Sequence, residues 1–424
     1  PILMWDGALW QTIGRADQHL ARSMIVWDPD GPGPLPERLV IAARFAESDG
    51  TTSHHVAYWG GNDWVRLGPG FNDSVTAIAV WDPDGDGPTS AQLVVGGFFT
   101  SIGGDPINRV ARWDGTQWVG LGSGMGEGFV STLVAWDPDG LGPLSERLVA
   151  GGTFFTVGGA DIRCIGFWDG QSWNPMSLGF NASPAALTVW DSDGDGPGTP
   201  DLIVGGHLAI TGDGVMVRGV ARWDGTRWSA LGPVSAPTPY VRSLAVWDPD
   251  GEGPMNSRLV VGGYFSGIGG IQASNLAMFD GSQWQAVGSG LNAAVNSLSL
   301  WDPDGDGPRP SELVAGGYFR GSADAHVPKI GRWDGTRWQT FGSGFGSQVR
   351  LLTTWDVDGD GPLPERLVVY GVFGGIGAEP VQAFTIWDGS SFHPGLPFYG
   401  IVHPSTITSW DPDGQGPQLP TLVA

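Results

Sequence analysis

The segment Trp81-Asp82-Pro83-Asp84-Gly85-Asp86-Gly87-Pro88, which runs into Leu93-Val94-Val95-Gly96-Gly97, decides how this chain folds. Its tryptophan recurs every 54 to 57 residues, at Trp27, Trp81, Trp136, Trp190, Trp247, Trp301, Trp355 and Trp410. A fixed period of this size is typical of repeat architectures, in which each unit packs on its neighbours. The 424 residues are therefore predicted to form one repeat array instead of two or three unrelated domains.

One unit, residues 75–124, predicts four short strands and no helix. Apolar and β-branched runs at 75–81 and 93–99 indicate two buried strands. Two further runs, 109–113 and 116–121, flank Asp114-Gly115, a strong hairpin signal. Four antiparallel strands in about 54 residues, repeated eight times, are typical of a β-propeller.

The expected fold class is all-β, an eight-bladed β-propeller of four-stranded antiparallel blades that fills residues 1–424 as a single domain. Residues 1–14 would supply two strands and residues 404–424 two more, so both ends share the eighth blade. Hydrogen bonds between these strands would close the ring and leave no free sheet edge. The 22 tryptophans occupy three places per unit, with Phe279 and Phe392 in the other two, and are expected to pack the blades.

Composition narrows the choice of partners. The formal net charge of −23 and the lack of a basic patch argue against nucleic acid and against anionic membrane surfaces. Cations are the natural partners of such a chain. No apolar run is long enough for a transmembrane segment, and Cys164, the single cysteine, excludes an intrachain disulfide and is expected to be buried and inert.

The eight Trp-containing loops all fit Asp-x-Asp-Gly-x-Gly-Pro. Carboxylates at positions 1, 3 and 5, with glycine at position 6 for the sharp turn, open a calcium loop. Closely spaced carboxylates repel one another, and a cation relieves that repulsion. The four loops with all three carboxylates are the candidate Ca²⁺ sites, and their ligands are Asp82, Asp84, Asp86, Asp191, Asp193, Asp195, Asp302, Asp304, Asp306, Asp356, Asp358 and Asp360.

An alternative for these loops is that aspartate and glycine only form Asx turns between strands. The last calcium ligand is hard to assign, because only Asp201, Glu312 and Glu365 lie near the second strand of a complete loop. Affinity is then expected to be weak, on the order of 10⁻⁴ to 10⁻³ M, which is useful outside a cell.

The loop and the following Leu-Val-Val-Gly-Gly resemble the FG-GAP repeat of integrin α-subunit propellers and bacterial surface proteins. The resemblance implies that the loop joins the first two strands of a blade on the bottom face and binds calcium through the same aspartates. It departs from that family in a two-residue insertion at Pro88 and in having eight blades. The second half of the unit, Ala111-Arg112-Trp113-Asp114-Gly115 onward, is similar to uncharacterised repeat proteins secreted by bacteria.

These features favour an extracellular or cell-surface structural or interaction module, bound to a protein or glycan partner or assembled with itself. One alternative is a lectin-like carbohydrate binder. Another is a hydrolase or lyase with a site on the face opposite the loops, where His19, His54, His55 and His403 would meet across the closure. No nucleophile elbow, zinc motif or phosphate loop is present, so an enzymatic role is not expected.

Overall fold

The computed structural model describes residues 2–5, 10–13, 20–31, 33, 35–46, 52–85, 90–140, 144–194, 198–251, 253–305, 307–357, 363–371, 384–394, 407–411 and 420–423. All regular secondary structure assigned within these ranges is β-strand. The strands fall into two compact units, the first made of residues 1–183, 211–214 and 403–424 and the second of residues 184–210 and 215–402.

The first unit contains twenty strands, eighteen before residue 184 and two at the C-terminal end. They are β1 (Ile2–Trp5), β2 (Trp10–Ile13), β3 (Leu20–Trp27), β4 (Arg38–Ala46), β5 (Thr52–Trp59), β6 (Trp64–Arg66), β7 (Val75–Trp81), β8 (Gln92–Gly97), β9 (Ser101–Ile102), β10 (Asp105–Pro106), β11 (Val110–Trp113), β12 (Trp118–Gly120), β13 (Val130–Trp136), β14 (Arg147–Gly152), β15 (Thr156–Val157), β16 (Ala160–Asp161), β17 (Ile165–Trp168) and β18 (Trp173–Pro175), and, after the second unit's strands β19 to β37, β38 (Thr408–Trp410) and β39 (Thr421–Val423).

The second unit repeats the same pattern. Its strands are β19 (Pro184–Trp190), β20 (Asp201–Gly206), β21 (Val220–Trp223), β22 (Trp228–Ala230), β23 (Val234–Ser235), β24 (Tyr240–Trp247), β25 (Arg258–Tyr264), β26 (Gly267–Ile268), β27 (Ile271–Gln272), β28 (Leu276–Phe279), β29 (Trp284–Ala286), β30 (Val295–Trp301), β31 (Glu312–Gly317), β32 (Ile330–Trp333), β33 (Trp338–Gln339), β34 (Val349–Trp355), β35 (Arg366–Gly371), β36 (Phe384–Trp387) and β37 (Phe392–Pro394).

Each sequence repeat folds as one four-stranded antiparallel sheet, or blade. The first unit holds the blades β2-β1-β39-β38, β3-β4-β5-β6, β7-β8-β11-β12 and β13-β14-β17-β18. The second holds β19-β20-β21-β22, β24-β25-β28-β29, β30-β31-β32-β33 and β34-β35-β36-β37. The predicted all-β, propeller-class fold is therefore confirmed, while its closure into a single ring stays a prediction.

The two chain ends lie in one blade. Strand β1 pairs with β39 through Met4 opposite Val423 and Trp5 opposite Leu422. Strand β39 in turn pairs with β38, and β1 with β2. Terminal strands are thus held by main-chain hydrogen bonds to a segment some four hundred residues away in sequence, which ties down both ends.

The glycine pair that occurs in the second strand of five blades marks two close approaches. A Cβ placed on Gly96 would lie 2.5 Å from Val130 Cγ1 in the next blade. A Cβ on Gly97 would lie 2.2 Å from the carbonyl oxygen of Ser74, where the first strand of the same blade carries a register shift between Val75 and Ala77. These glycines are therefore required by packing between and within blades, and they are not a nucleotide-binding motif.

Tryptophans form the blade contacts as predicted. Nineteen of the 22 have side chains less than a tenth exposed, so their role is packing and not sugar stacking. Trp113 lies directly opposite Trp118 across the Asp-Gly hairpin, with ring centroids 5.3 Å apart in an edge-to-face arrangement. Such pairs add stabilisation beyond the area they bury.

The loop tryptophans also cross from blade to blade. In six blades this tryptophan ends the first strand and donates its indole N–H to the backbone carbonyl just before the second strand of the following blade. These bonds are Trp27 to Ala91 (2.9 Å), Trp81 to Glu146 (2.9 Å), Trp190 to Ser257 (3.4 Å), Trp247 to Ser311 (2.8 Å), Trp301 to Glu365 (2.8 Å) and Trp410 to Glu37 (3.2 Å).

Fourth-strand tryptophans make the reverse connection. Their indole N–H groups donate to a carbonyl of the preceding blade: Trp118 to Leu67 (2.7 Å), Trp173 to Leu121 (2.8 Å), Trp338 to Val287 (3.2 Å) and Trp284 to Leu231. Within each unit, neighbouring blades are consequently linked by hydrogen bonds in both directions, in addition to apolar packing.

A tryptophan pair tests the value of these links. Replacing Trp247 by Phe removes the donor to the Ser311 carbonyl, whereas the indole nitrogen of Trp333 has no acceptor among the described residues. Both substitutions lose similar apolar volume, but only Trp247→Phe leaves a part-buried carbonyl unsatisfied, at a cost of about 1–3 kcal/mol. We expect Trp247→Phe to lower the urea midpoint more than Trp333→Phe; equal losses would contradict a role for the hydrogen bond.

Candidate functional site

The Asp-rich loops join the first and second strands of their blades, as predicted. Of the twelve predicted calcium ligands, the structure describes Asp82, Asp84, Asp191, Asp193, Asp302, Asp304 and Asp356. The remaining five, Asp86, Asp195, Asp306, Asp358 and Asp360, lie outside the described residues. The geometry of the first two carboxylates can therefore be given for three of the four candidate loops.

The first two aspartates form an Asx turn in six of the loops. Oδ1 of the first accepts the backbone N–H of the second: Asp84 N to Asp82 is 3.2 Å, Asp193 N to Asp191 is 3.1 Å and Asp304 N to Asp302 is 3.0 Å. Three loops without a third aspartate show the same bond, at Asp30, Asp139 and Asp250. The turn predicted as the alternative to metal binding is thus present in loops of both kinds.

The two carboxylate oxygens of the second aspartate have different surroundings. Oδ2 accepts a backbone N–H five residues later, for example Gly198 N to Asp193 at 2.9 Å and Leu144 N to Asp139 at 3.0 Å. Oδ1 is buried and has no donor among the described residues in five loops, those of Asp30, Asp139, Asp193, Asp250 and Asp304. A buried carboxylate oxygen without a donor is costly, and a cation is one way to satisfy it.

The buried Oδ1 atom without a donor is not restricted to loops that have a third aspartate. It occurs in the loops of Asp193 and Asp304, which have a third carboxylate in sequence, and also in those of Asp30 and Asp139, which have Pro32 and Leu141 there. The loop backbone itself therefore creates the environment. In the parts of the chain that the structure describes, no three His, Cys, Asp or Glu side chains are grouped to hold a metal ion.

Two of the carboxylates that the sequence offered as possible last calcium ligands have other partners. Asp201 forms an ion pair with Arg222 at 2.7 Å, and Glu312 pairs with Arg332 at 3.1 Å and with Arg309 at 3.2 Å. Both carboxylates are almost fully buried, so each guanidinium offsets the cost of a buried charge. These two residues contribute to blade structure.

Glutamates from the following blade approach the loops instead. Oε2 of Glu146 accepts the backbone N–H of Asp82 at 2.9 Å, and Oε2 of Glu365 accepts that of Asp302 at 3.1 Å. Glu365 thus contacts the loop before its own, a pairing that sequence distance alone did not reveal. The signal that could have found it is the Glu-Arg-Leu triplet that begins the second strand at Glu37, Glu146 and Glu365.

Burial and nearby negative charge raise the pKa of these acids. Burial, and then the charges of Asp82 and Asp137, raise the pKa of Glu146. The pKa of Glu365 is raised in the same way, by burial and by Asp302 and Asp356. Burial also raises the pKa of Asp82, with the carboxylate of Asp84 adding to the shift. The loop edge of each blade therefore concentrates negative charge that burial makes unfavourable.

His54 and His55 lie at the end of their blade away from the Asp loop. His55 is buried, with Nε2 2.8 Å from Ser53 Oγ and its ring edge-on to Phe45 at 5.9 Å, and burial lowers the pKa of His54. His19 and His403 lie outside the described residues, so their meeting with this pair stays a prediction. Cys164 is buried, as expected, and burial raises the pKa of its thiol to about 11.

Large aromatic side chains are exposed at one repeated position, directly after the glycine pair of the second strand. Phe98, Tyr264 and Tyr318 are 38%, 47% and 44% exposed. Phe98 stacks on Phe129 with a centroid distance of 4.1 Å, and Tyr264 lies opposite Tyr240. These residues are not among the predicted site residues, although the repeat period locates their position in each blade.

Comparison with known proteins finds similarity among solved structures. No protein-family profile matches this chain, and no curated protein sequence does. Among solved structures, the chain is similar to Sqt1 from Saccharomyces cerevisiae, with 12% sequence identity, a TM-score of 0.49, and coverage of 97% of this chain and 99% of that one. Among the described residues, no helix has the length and hydropathy needed to cross a membrane. The FG-GAP resemblance accordingly stays a prediction.

The raised pKa of Glu146 gives a pH prediction. An acid whose folded pKa lies above its ordinary value of 4.5 favours the folded state below that value and loses this advantage as pH rises. Glu146→Gln removes the ionisation but keeps an acceptor for the Asp82 N–H. We expect its stability relative to the natural protein to increase from pH 4.5 to pH 7 in urea unfolding with chelator present.

Glu127→Gln is the matched control, because it removes the same charge from an exposed position in the same unit. Its relative stability should change little over this pH range. A pH-independent difference between Glu146→Gln and the natural protein would show that burial and the loop charges do not disfavour ionisation of Glu146.

Proposed function

We propose that this protein is a calcium-stabilised β-propeller that acts outside the cell or at its surface as a structural or interaction module. The observation that supports calcium is the buried Oδ1 atom without a donor at the same place in five loops. An oxygen-rich loop with one carboxylate oxygen left unsatisfied is the donor chemistry that Ca²⁺ prefers.

The ions would be held by the aspartates at the first, third and fifth loop positions, that is Asp82, Asp84, Asp86, Asp191, Asp193, Asp195, Asp302, Asp304, Asp306, Asp356, Asp358 and Asp360. Glu146 and Glu365, which reach the loops of Asp82 and Asp302 from the following blade, would bring further negative charge to two of them. Bound calcium would supply charge neutralisation, relieving the repulsion between these carboxylates.

The proposed location follows from affinity. Loops with a weak last ligand bind calcium on the order of 10⁻⁴ to 10⁻³ M, and such sites are filled only where calcium is abundant, as outside cells. A net charge of −23 agrees with a chain that works in the presence of cations.

Calcium should raise the melting temperature of the natural protein at millimolar concentration, and chelator should lower it. The double variant Asp82→Asn/Asp84→Asn should lose part of this response, because its loop can no longer offer two charged ligands. Asp105→Asn/Asp161→Asn, which changes the charge equally at exposed positions of the same unit, should keep the full response. Equal melting temperatures of the natural protein with calcium and with chelator would contradict calcium stabilisation.

The interaction role rests on the exposed aromatic residues after the glycine pair. Phe98, Tyr264 and Tyr318 present rings to solvent at equivalent positions of their blades, and aromatic side chains are enriched where proteins bind partners. The same rings support the alternative, a lectin-like function, because sugar rings stack on exposed aromatic faces.

One double variant distinguishes the lectin-like function from the interaction module. A glycan bound by the natural protein and lost in Tyr264→Ser/Tyr318→Ser would support the lectin. Absence of binding across a glycan array, together with concentration-dependent sedimentation that the double variant abolishes, would support interaction between protein molecules. A natural protein that binds no glycan and sediments as a monomer at high concentration would contradict both the lectin and self-assembly.

A further inference from the structure

A cleft opens in the first unit between the blade β3-β4-β5-β6 and the blade β7-β8-β11-β12. Its volume is about 410 Å³, and its walls include Trp27, Leu35, Arg38, Ala91, Arg112 and Trp113. Cavities of this size hold small organic ligands. The cleft lies at the ends of the strands that carry the Asp loops, away from the exposed aromatic residues described above.

Two guanidinium groups face this cleft without a carboxylate partner. Arg38 lies over the ring of Tyr58 at 4.3 Å, and Arg112 donates from Nη1 to Gln92 Oε1 at 3.1 Å. No Asp or Glu among the described residues lies within ion-pair distance of either. Each guanidinium is held in position yet keeps donors available, since arginine has five N–H groups.

Equivalent arginines elsewhere in the chain are neutralised. Arg222 and Arg332 occupy the place of Arg112 in their blades, and each pairs with a carboxylate at the start of its second strand, Asp201 and Glu312. In the cleft blade that place is taken by Gln92. The substitution of an amide for a carboxylate leaves Arg112 with a positive charge that is neutralised at the equivalent place in the blades of Arg222 and Arg332.

The space itself arises from a small side chain. Ala91 accepts the indole N–H of Trp27 through its carbonyl, as the corresponding residues of other blades do. In two of those blades the residue at this place also contacts the neighbouring Asp loop through its side chain: Glu146 Oε2 accepts the backbone N–H of Asp82, and Ser257 Oγ donates to the carbonyl of Asp191. The Ala91 side chain ends at Cβ, so the corresponding volume beside the tryptophan stays open.

We propose that this cleft binds a small monocarboxylate with a sugar-like body, of the uronic acid class. Two guanidiniums match the planar, bidentate geometry of a carboxylate. A multivalent anion would meet stronger repulsion from a chain of net charge −23, which favours a single negative charge. Indole edges and Leu35, which is 45% exposed, offer apolar surface, while Ser90 and Gln92 offer polar groups to hydroxyls.

One carboxylate also borders the cleft, and it does not neutralise the arginines. Asp114 Oδ1 accepts the backbone N–H groups of Thr116 and Gln117, at 2.9 Å and 2.8 Å, within its own hairpin turn. Those bonds lower the pKa of Asp114 to about 2, so it stays charged and fixed in the turn. Arg38 and Arg112 together leave the lining with one net positive charge after Asp114 is counted.

Calorimetric titration with D-glucuronate, D-glucose and inorganic phosphate tests the proposal. We expect glucuronate to bind, and glucose and phosphate to bind at least about tenfold more weakly, because only the first offers one carboxylate on a sugar ring. Arg38→Gln and Arg112→Gln should each weaken glucuronate binding by about tenfold or more. Ala91→Glu, which restores the residue type of Glu146, should abolish it by occupying the cleft with a negative charge.

Arg147→Gln is the matched control. Arg147 is the counterpart of Arg38 two blades further along the chain, where it lies over Phe167 at 4.6 Å, and it does not line the cleft, so glucuronate affinity should be unchanged. Glucuronate binding that survives Arg38→Gln and Arg112→Gln, equal binding of glucose, or no binding at ten-millimolar glucuronate by natural protein with intact β-sheet circular dichroism would each overturn the proposal.

Discussion

The indole N–H of the loop tryptophan is the interaction on which the rest of the structure depends. At the end of a first strand it reaches the main chain of the following blade, as Trp81 does to Glu146, and a fourth-strand tryptophan such as Trp173 reaches back to the preceding one. A blade on its own is a small sheet with too little core to be stable. These bonds, and the valine of the next blade that packs on Gly96, make neighbouring blades of a unit mutually dependent.

Neighbouring blades differ in the residue that begins the second strand, a difference that the repeat period alone does not show. Arginine begins the second strand at Arg38, Arg147, Arg258 and Arg366, in every other repeat, and the blades between them begin it with Gln92, Asp201, Glu312 and Thr421. In the first kind the arginine lies against an apolar neighbour, such as Tyr58 or Phe167. In three blades of the second kind the arginine is instead on the third strand, where Arg222 pairs with Asp201. The position of this arginine therefore differs between neighbouring blades.

This alternation determines where glutamates approach the Asp loops and where arginines gather. Glutamates that precede the arginine, Glu146 and Glu365, extend toward loops of the other kind of blade, so carboxylates from two repeats gather at one loop. Gln92 interrupts the pattern at one seam and leaves Arg112 without a carboxylate. The acidic loop edge and the basic cleft thus result from the same repeat, altered at one or two positions.

The sequence alone determined the all-β class, the four strands of each repeat, the Asp-Gly hairpins and the packing role of tryptophan. These depend on local propensity and on a period, and both are visible along the chain. It also located the Asp loops, with their Asx turns as the alternative to calcium. Tertiary structure decided which residues meet across blades: that Glu365 serves the loop of Asp302, that Asp201 is paired with Arg222, and that Ala91 opens a cleft. Such contacts join residues 20 or more positions apart, and their register is set by how one sheet packs on the next, which no single repeat encodes.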